Sequence, residues 1–251
     1  MVKRSQLMAA LLLLAAASAQ AVTVDELIAK NIKARGGIEK IRAVQSLRTS
    51  GKMFQGGGDY SIELAYAQMI KRPGMIRQEV SMQGLTAVGA YDGSLGWQIQ
   101  PFEGRLDPEK LSADDMKGFK LLADLDGPLV DYAAKGSKVE YLGTEDVDGT
   151  DAYKIKVTLR DGDVIYVFLD PDYFLEIRRI AQMRIRGSEF VEEDDLGNYE
   201  QVNGVMLPFS LESGPKGQAK STKIIIEKAE INVVLDTKLF QLPATPAAVS
   251  K

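Results

Sequence analysis

The chain has 251 residues, 45% of them hydrophobic, and its 31 basic and 35 acidic residues give a formal net charge of −4. This balance lacks the dense basic footprint that nucleic-acid binding requires. Cysteine and histidine are both absent, which excludes disulfides, thiolate sites, Ser-His-Asp and Cys-His catalysis, and histidine-based metal sites.

The first 21 residues have the three parts of a secretory signal peptide. Lys3 and Arg4 form a basic start, an apolar run extends from Leu7 to Ala17, and Ala19-Gln20-Ala21 supplies small residues for cleavage. As a membrane anchor, the run is too short to span a bilayer. We therefore expect cleavage of residues 1–21 and export to the periplasm. No cysteine is present to accept a lipid, so the mature chain should be soluble, unlipidated and without a transmembrane segment.

The N-terminus of the mature chain has helical signals. Thr23 and Glu26 are spaced as a capping box before an apolar stripe, and Gly36-Gly37 is a stop signal. Apolar residues every third position from Ile38 predict a second short helix.

From Ser46 onward the apolar period changes to two, which predicts strands. Pro73-Gly74, Asp92-Gly93, Asp148-Gly149 and Asp161-Gly162 mark tight turns between these strands. Trp97, the only tryptophan, shares one side of its strand with Ile99, opposite two glutamines. The series predicts an antiparallel meander.

Residues 107–136 interrupt the strands with a helical pattern. Ser112 is placed as an N-cap, Gly127-Pro128 breaks the pattern, and a second short helix is expected through Ala134. Strands resume at Lys138. No linker or composition shift divides the chain, so residues 22–251 are predicted to form a single domain.

The motifs that carry chemistry are weak. The stretch Gly214–Ser221 resembles a phosphate loop but is followed by a strand pattern, and Asp146–Asp151 departs from calcium-loop spacing. The acidic run Glu192–Asp195 is interpreted as a solvated loop. We expect no enzyme activity, no catalytic residue, no metal and no cofactor; a carboxylate pair acting on envelope polymers stays as the enzymatic alternative.

Two segments carry a family resemblance. "IKRPGMIRQEV" (70–80) and "YDGSLGWQIQPFEGR" (91–105) resemble, in order and spacing, the periplasmic lipoprotein carriers of the LolA type. The mid-chain helical insertion and "DTKLFQLP" (236–243) sit where that family has comparable features. The chain is longer than the plain carriers, and its segment 198–213 resembles the broader outer-membrane lipoprotein-sorting-like proteins.

The resemblance implies an α+β, mainly β fold, in which one curved antiparallel sheet forms an incomplete half-barrel. N-terminal and mid-chain helices would close it over an apolar cavity. It also implies that Arg72 holds the helical lid by hydrogen bonds, although a plain surface arginine is the alternative. The expected lipid-binding residues are Tyr60, Ile62, Leu64, Tyr66, Ile76, Val80, Trp97, Ile99, Tyr153, Ile155, Tyr166 and Phe168. Periodicity alone cannot distinguish such a lined cavity from a filled core.

The function implied is that of a monomeric periplasmic carrier of a lipoprotein acyl group or another envelope lipid. Membrane components would load it at the inner membrane and receive its cargo at the outer membrane. The alternative is a regulator or accessory module that senses lipid or lipoprotein and binds a protein partner.

Overall fold

The computed structural model of the chain describes residues 22–57 and 60–243, so the predicted signal peptide lies outside the described residues. The described helices are α1 (Val24–Ala34), α2 (Ile38–Ala43) and α3 (Met116–Leu122). The strands are β1 (Ser46–Gly57), β2 (Tyr60–Lys71), β3 (Met75–Met82), β4 (Leu85–Tyr91), β5 (Gly96–Gln100), β6 (Arg105–Lys110), β7 (Lys138–Val147), β8 (Thr150–Thr158), β9 (Val164–Leu169), β10 (Glu176–Ile185), β11 (Ser188–Val202), β12 (Val205–Pro215) and β13 (Thr222–Ile231).

All the strands named above belong to one antiparallel sheet in the order β6-β5-β4-β3-β2-β1-β13-β12-β11-β10-β9-β8-β7. Strands that are neighbours in the sheet are consecutive in the chain, except for β1 and β13, whose pairing joins the two halves. The predicted meander and incomplete half-barrel are confirmed, with β6 and β7 as its two edges.

Helix α1 begins with the capping box that the sequence indicated. The Thr23 hydroxyl accepts from the Glu26 amide at 3.2 Å, and the Thr23 amide donates to Glu26 Oε2 at 2.9 Å. This capping box starts α1, which buries Leu27 and Ile28 against the sheet. We call the sheet face that α1 covers the inner face and the other the outer face.

The prediction for residues 107–136 was only partly right. Arg105–Lys110 forms the edge strand β6, where Pro108 is tolerated because an edge strand has one unpaired side. Helix α3 follows, but residues 128–136 form turns instead of a second helix. Asp131 takes a left-handed φ of 53° there, and Arg42 holds its carboxylate with a 2.7 Å ion pair.

The acidic run Glu192–Asp195 is not a solvated loop, because it lies in the middle of β11. Basic side chains compensate its charges: Lys220 contacts Glu193 at 2.7 Å, and Arg178 contacts Asp195 at 2.5 Å. Charge density in the sequence indicated solvent, but cross-strand pairing allows these carboxylates to lie within the sheet.

Two helices cover different parts of the inner face. Helix α1 packs on the side chains of Ile155 and Val157 in β8 and on those of β9. Helix α3 packs on Ile70, Ile76 and Tyr91 from strands β2 to β4. The register continues this inner face through the strands between them.

The outer face of β1 to β5 is covered by residues 232–243, which we call the C-terminal strap. Leu235 and Phe240 are buried against Met69, and Leu242 packs beside Trp97. Side chains of the sheet donate to strap carbonyls: Ser46 to Val233 at 2.6 Å, Lys71 to Leu235 at 2.6 Å, Arg77 to Leu239 at 2.9 Å and Trp97 to Phe240 at 2.8 Å.

This strap corrects the placement of Trp97 and Ile99. Trp97 is 1% exposed, and Ala90 and Val88 pair with Trp97 and Ile99 on the outer face. The apolar side of β5 therefore faces the strap, and its glutamines face the helices. Alternation identifies residues that share a face, but not which face is which.

Tyr166 and Phe168 also lie on the outer face, so the expectation that they line the same surface as Tyr153 and Ile155 was wrong. Ile155 pairs with Val167, and directly paired residues share a face of the sheet. Tyr166 and Phe168 are the sequence neighbours of Val167, so their side chains point to the opposite face. They pack with Ile180 in a separate outer cluster. Both faces of β9 are apolar, so its sequence has no alternation of apolar and polar residues from which the inner face could be predicted.

Replacing Phe240 with alanine should lower the free energy of unfolding by about 3–5 kcal/mol, because its side chain is fully buried. It should also shift Trp97 emission to longer wavelength as the strap loosens and water reaches the indole. Val234→Ala in the same strap is the control, since Val234 is 98% exposed. Equal denaturation midpoints and emission spectra for the two variants would refute the strap's role.

Candidate functional site

A cavity of about 230 Å³ lies on the inner face between the areas that α1 and α3 cover. Its sheet wall comes from β1, β2 and β10 to β13, the middle of the sheet. Its apolar lining consists of Leu47, Tyr66, Ile70, Leu121, Leu122, Leu125, Leu196, Met206, Leu207, Pro208, Phe209, Leu211, Ile224, Ile226 and Ala229.

The cavity has a roof formed by residues 112–136, which we call the lid and which contains α3. Two glycines of the sheet let α3 approach closely. A Cβ atom on Gly89 would lie 2.5 Å from the Phe119 ring, and one on Gly96 would lie 2.7 Å from Met116 Cγ. The absence of a side chain at these two positions therefore allows Phe119 and Met116 of the lid to pack directly on the sheet backbone.

Arg72 ties the lid to the rest of the protein. Its guanidinium donates to both carboxylate oxygens of Asp126, at 2.7 and 2.5 Å, in a bidentate pair. Its Nε donates to the Val44 carbonyl at 2.6 Å, and Nη2 to the Ile41 carbonyl at 3.3 Å. One side chain thus joins the β2–β3 turn, the end of α2 and the lid.

The carboxylate in this pair is strongly biased toward its charged form. The hydrogen bond from Arg72 lowers the pKa of Asp126, and this effect exceeds the opposing effect of burial. Arg35 adds a 2.7 Å hydrogen bond to the Asp126 carbonyl. We call the Arg72–Asp126 pair the latch.

The other end of the lid is also held by ion pairs. Lys117 contacts Asp163 at 2.8 Å in the β8–β9 turn, and Arg186 contacts Asp115 at 2.9 Å from the β10–β11 turn. The lid therefore bridges the inner face between strands on both sides of the cavity. Ion pairs hold its two ends, while apolar contacts hold its middle.

The cavity has a polar end where charged side chains replace the apolar lining. Arg179 pairs with Glu176 at 2.5 Å, and Tyr199 donates its hydroxyl to the Glu176 carbonyl at 2.7 Å. Ser213 donates to Asp194 at 2.6 Å. Burial raises the pKa of Tyr199. Burial alone would lower the pKa of Arg179, but attraction to Glu176 raises it overall.

Among the predicted residues whose side chains the structure describes, Tyr66 alone lines this cavity. It is 6% exposed, and its hydroxyl accepts a 3.3 Å hydrogen bond from Gln78. Burial raises the pKa of Tyr66 to about 12, against the lowering effect of Gln78. Tyr66 therefore offers a neutral hydroxyl at neutral pH.

The remaining predicted residues divide into three groups. Ile76, Tyr153 and Ile155 lie on the inner face, but they are packed against α3 or α1 in filled cores. Ile62, Leu64 and Val80 share the inner face without lining this cavity. Trp97, Ile99, Tyr166 and Phe168 are on the outer face. The side chain of Tyr60 lies outside the described part of the structure.

Most of the cavity lining was missed by sequence reasoning. Leu207, Phe209 and Leu211 alternate in β12, and this signal could have placed them on one face. The charged pair Glu176–Arg179 gave no signal, because its spacing of three is not the period of a strand. A bulge between Glu176 and Arg178 brings both side chains to the inner face.

Two further findings concern the described residues alone. No cluster of three acidic side chains there could hold a metal ion. No helix in the same residues is long and apolar enough to cross a membrane.

Comparisons with known proteins identify the fold. No protein-family model matches the chain, and no curated protein matches its sequence. A DUF1329 family protein from Desulfovibrio piger has 14% identity and a TM-score of 0.59, with 87% of this chain and 97% of that chain covered. The LolA superfamily protein NE2245 from Nitrosomonas europaea has 14% identity and a TM-score of 0.58, with 88% and 98% covered.

A third solved structure is a domain from Vibrio parahaemolyticus assigned to outer membrane lipoprotein sorting. Its identity is 13% and its TM-score 0.56, with 85% of this chain and 94% of that chain covered. At such identities the likeness concerns the fold alone. The chain has a LolA-like fold, as the two sequence segments predicted.

Arg72→Leu should release the lid from the latch. Charge-assisted hydrogen bonds contribute about 1.5–3 kcal/mol each, so amide hydrogen exchange within residues 112–136 should accelerate by about tenfold or more. Arg48→Leu is the matched control, because Arg48 is exposed on the outer face of β1. Equal lid exchange in both variants would show that Arg72 is an ordinary surface arginine.

The latch should also weaken in acid. Because the pKa of Asp126 is lowered in the folded protein, its stabilisation is complete above the unfolded value of about 3.9 and is lost as pH falls toward the folded value. The stability difference between wild type and Asp126→Asn should therefore shrink below about pH 4. Denaturant unfolding at several pH values measures it, and a difference independent of pH would contradict the assignment.

Proposed function

We propose that this protein is a periplasmic carrier that holds an apolar chain of a lipid or lipoprotein in the cavity under the lid. The observation that carries the proposal is the unfilled apolar cavity over the middle of the inner face, beneath a lid that ion pairs hold at both ends. The fold shared with the Vibrio domain assigned to lipoprotein sorting supports it.

The physical need for a carrier follows from the cost of exposing apolar chains to water. Each methylene costs about 0.8 kcal/mol, so a sixteen-carbon chain costs roughly 13 kcal/mol. Unassisted crossing of an aqueous compartment is therefore negligibly slow. The proposal includes removal of residues 1–21, a monomeric mature protein, and membrane components that load it and receive its cargo.

The latch gives a route for loading and release. The Arg72–Asp126 pair is accessible at its edge, since the two side chains are 26% and 12% exposed. Contact with a membrane component could compete for either partner and free one end of the lid. The cavity would then open between the lid and the middle strands, and no bond of the cargo would be broken.

The proposal assigns the protein no catalytic residue and no cofactor. The alternative, a regulator that binds a protein partner, is separated by isolating the protein from its native periplasm. Lipid in an organic extract supports the carrier, and a stable protein partner without lipid supports the regulator. Glycan turnover that is lost on a single Asp or Glu change would instead support the enzymatic alternative.

Filling the cavity should abolish chain binding without unfolding the protein. Ala229 lines the cavity, so Ala229→Phe should weaken the binding of a fluorescent fatty-acyl probe by about tenfold or more, while overpacking costs roughly 1–3 kcal/mol of stability. Ala65→Phe is the matched control, since Ala65 is exposed on the outer face of β2. Equal probe affinities would place binding elsewhere and defeat the proposal.

A further inference from the structure

The polar end of the cavity has an excess of hydrogen-bond donors. The carboxylates there already have partners, because Glu176 accepts from Arg179 and Asp194 accepts from Ser213. In contrast, the buried Nε–H of Arg179 meets no acceptor within residues 22–57 and 60–243. A guanidinium has five donor hydrogens and no acceptor, so only a ligand or solvent oxygen can satisfy it.

Arg35 adds a second cation to this end. It lines the same cavity, and its one side-chain hydrogen bond in the described part of the chain goes to the Asp126 carbonyl. Met206, which also lines the cavity, donates its amide to the Arg35 carbonyl at 3.0 Å and pairs with Gln201 in β11, the strand that carries Tyr199. The Arg35 backbone therefore lies beside the strands of the polar end, and two guanidinium groups and the Tyr199 hydroxyl line one otherwise apolar space.

Burial of the Arg179–Glu176 ion pair costs desolvation free energy unless other interactions offset it. Desolvation of a buried pair often matches or exceeds its Coulomb gain, and apolar side chains of similar volume would pack as well or better. Glu176 has a side chain 6% exposed and Arg179 one 17% exposed. A carrier for chains alone has no use for such a pair in its cavity wall.

The size of the cavity limits the rest of the ligand. About 230 Å³ is below the roughly 300–1,000 Å³ of pockets for drug-sized molecules. This small volume therefore favours a ligand with one chain over a ligand with a bundle of chains.

We infer that the cavity binds a single-chain amphiphile whose oxyanion head, a carboxylate or phosphate, accepts hydrogen bonds from Arg179 and Arg35 while its chain lies along Ile70, Ile224 and Ile226. This inference rests on the proposed function and names the chemical class of its cargo. Planar guanidinium groups suit both heads, because they donate pairs of parallel hydrogen bonds to such oxygens.

The test keeps the chain constant and changes the head. Dodecanoate, dodecyl phosphate, dodecanol and dodecyltrimethylammonium are titrated into the full mature protein at pH 7, below their aggregation concentrations, by calorimetry. The two anions should bind at least tenfold more tightly than the alcohol and the ammonium. Equal affinities for all four, or a preference for the ammonium, would overturn the inference.

Variants then assign the selectivity to Arg179. The double variant Glu176→Gln/Arg179→Gln removes both charges, so that neither remains buried alone. It should bind the anions about tenfold more weakly and dodecanol with unchanged affinity. Glu212→Gln/Lys223→Gln removes an outer-face pair of 2.7 Å on neighbouring strands and should change neither. If the double variant does not fold, Arg179→Lys, which lacks the Nε–H, should still lose several-fold selectivity.

Two further measurements distinguish a failure of the head-group inference from a failure of the carrier proposal. Acetate and inorganic phosphate should not compete at the concentrations used, and competition equal to that of the amphiphiles would indicate a site for small anions instead. If Ala229→Phe blocks all four dodecyl ligands equally while wild type shows no head preference, the carrier proposal stands and the head-group inference fails. If wild type binds none of the four, both fail.

Discussion

The structure depends on a mismatch between the sheet and the helices that cover it. Thirteen strands present a wide inner face, whereas α1 fills only the part over β8 and β9, and α3 the part over β2 to β5. The apolar side chains of the middle strands face the lid across the cavity and are not packed against a helix that fills it. Protein interiors pack closely when complementary side chains are available, and the residues that the structure describes do not fill this space. The cavity is therefore a consequence of fold geometry and not of a local packing defect.

The latch follows from the same mismatch. A lid that buried a full apolar surface against the middle strands would close the cavity permanently, since each buried Leu or Ile side chain contributes about 1.5–3 kcal/mol. The lid instead contacts the sheet over α3 and is fixed at its ends by the pairs Arg72–Asp126 and Lys117–Asp163. Relative to apolar side chains a partly buried ion pair adds little stability, but removing one partner leaves an unpaired charge and is costly, so the pair specifies the position of a segment that must return to one place after opening.

The sequence predicted the parts of this structure that local rules decide. The capping box at Thr23, the turns at Asp92-Gly93 and Asp161-Gly162, and the meander all follow from short-range patterns. The predictions that were wrong depend on contacts with distant parts of the chain or on strands without an alternating pattern. Trp97 was placed on the wrong face because its cover, the strap around Phe240, lies more than a hundred residues away. Tyr166 and Phe168 failed because β9 is apolar on both faces. The latch at Arg72 came from family resemblance, and no pattern around Asp126 would have paired the two residues.

The polar end of the cavity affects how tightly a ligand is held as well as which ligand fits. A wholly apolar cavity would hold any chain with an energy proportional to its length, and it would retain long chains too strongly to hand them over. A head group bound by Arg179 and Arg35 allows part of the affinity to come from interactions that a charged membrane surface can also provide. Because Arg35 also donates to the Asp126 carbonyl, a head group that draws on Arg35 competes with a support of the latch. Occupancy and lid opening would then be linked through one side chain, with a coupling limited to the energy of one charge-assisted hydrogen bond, about 1.5–3 kcal/mol.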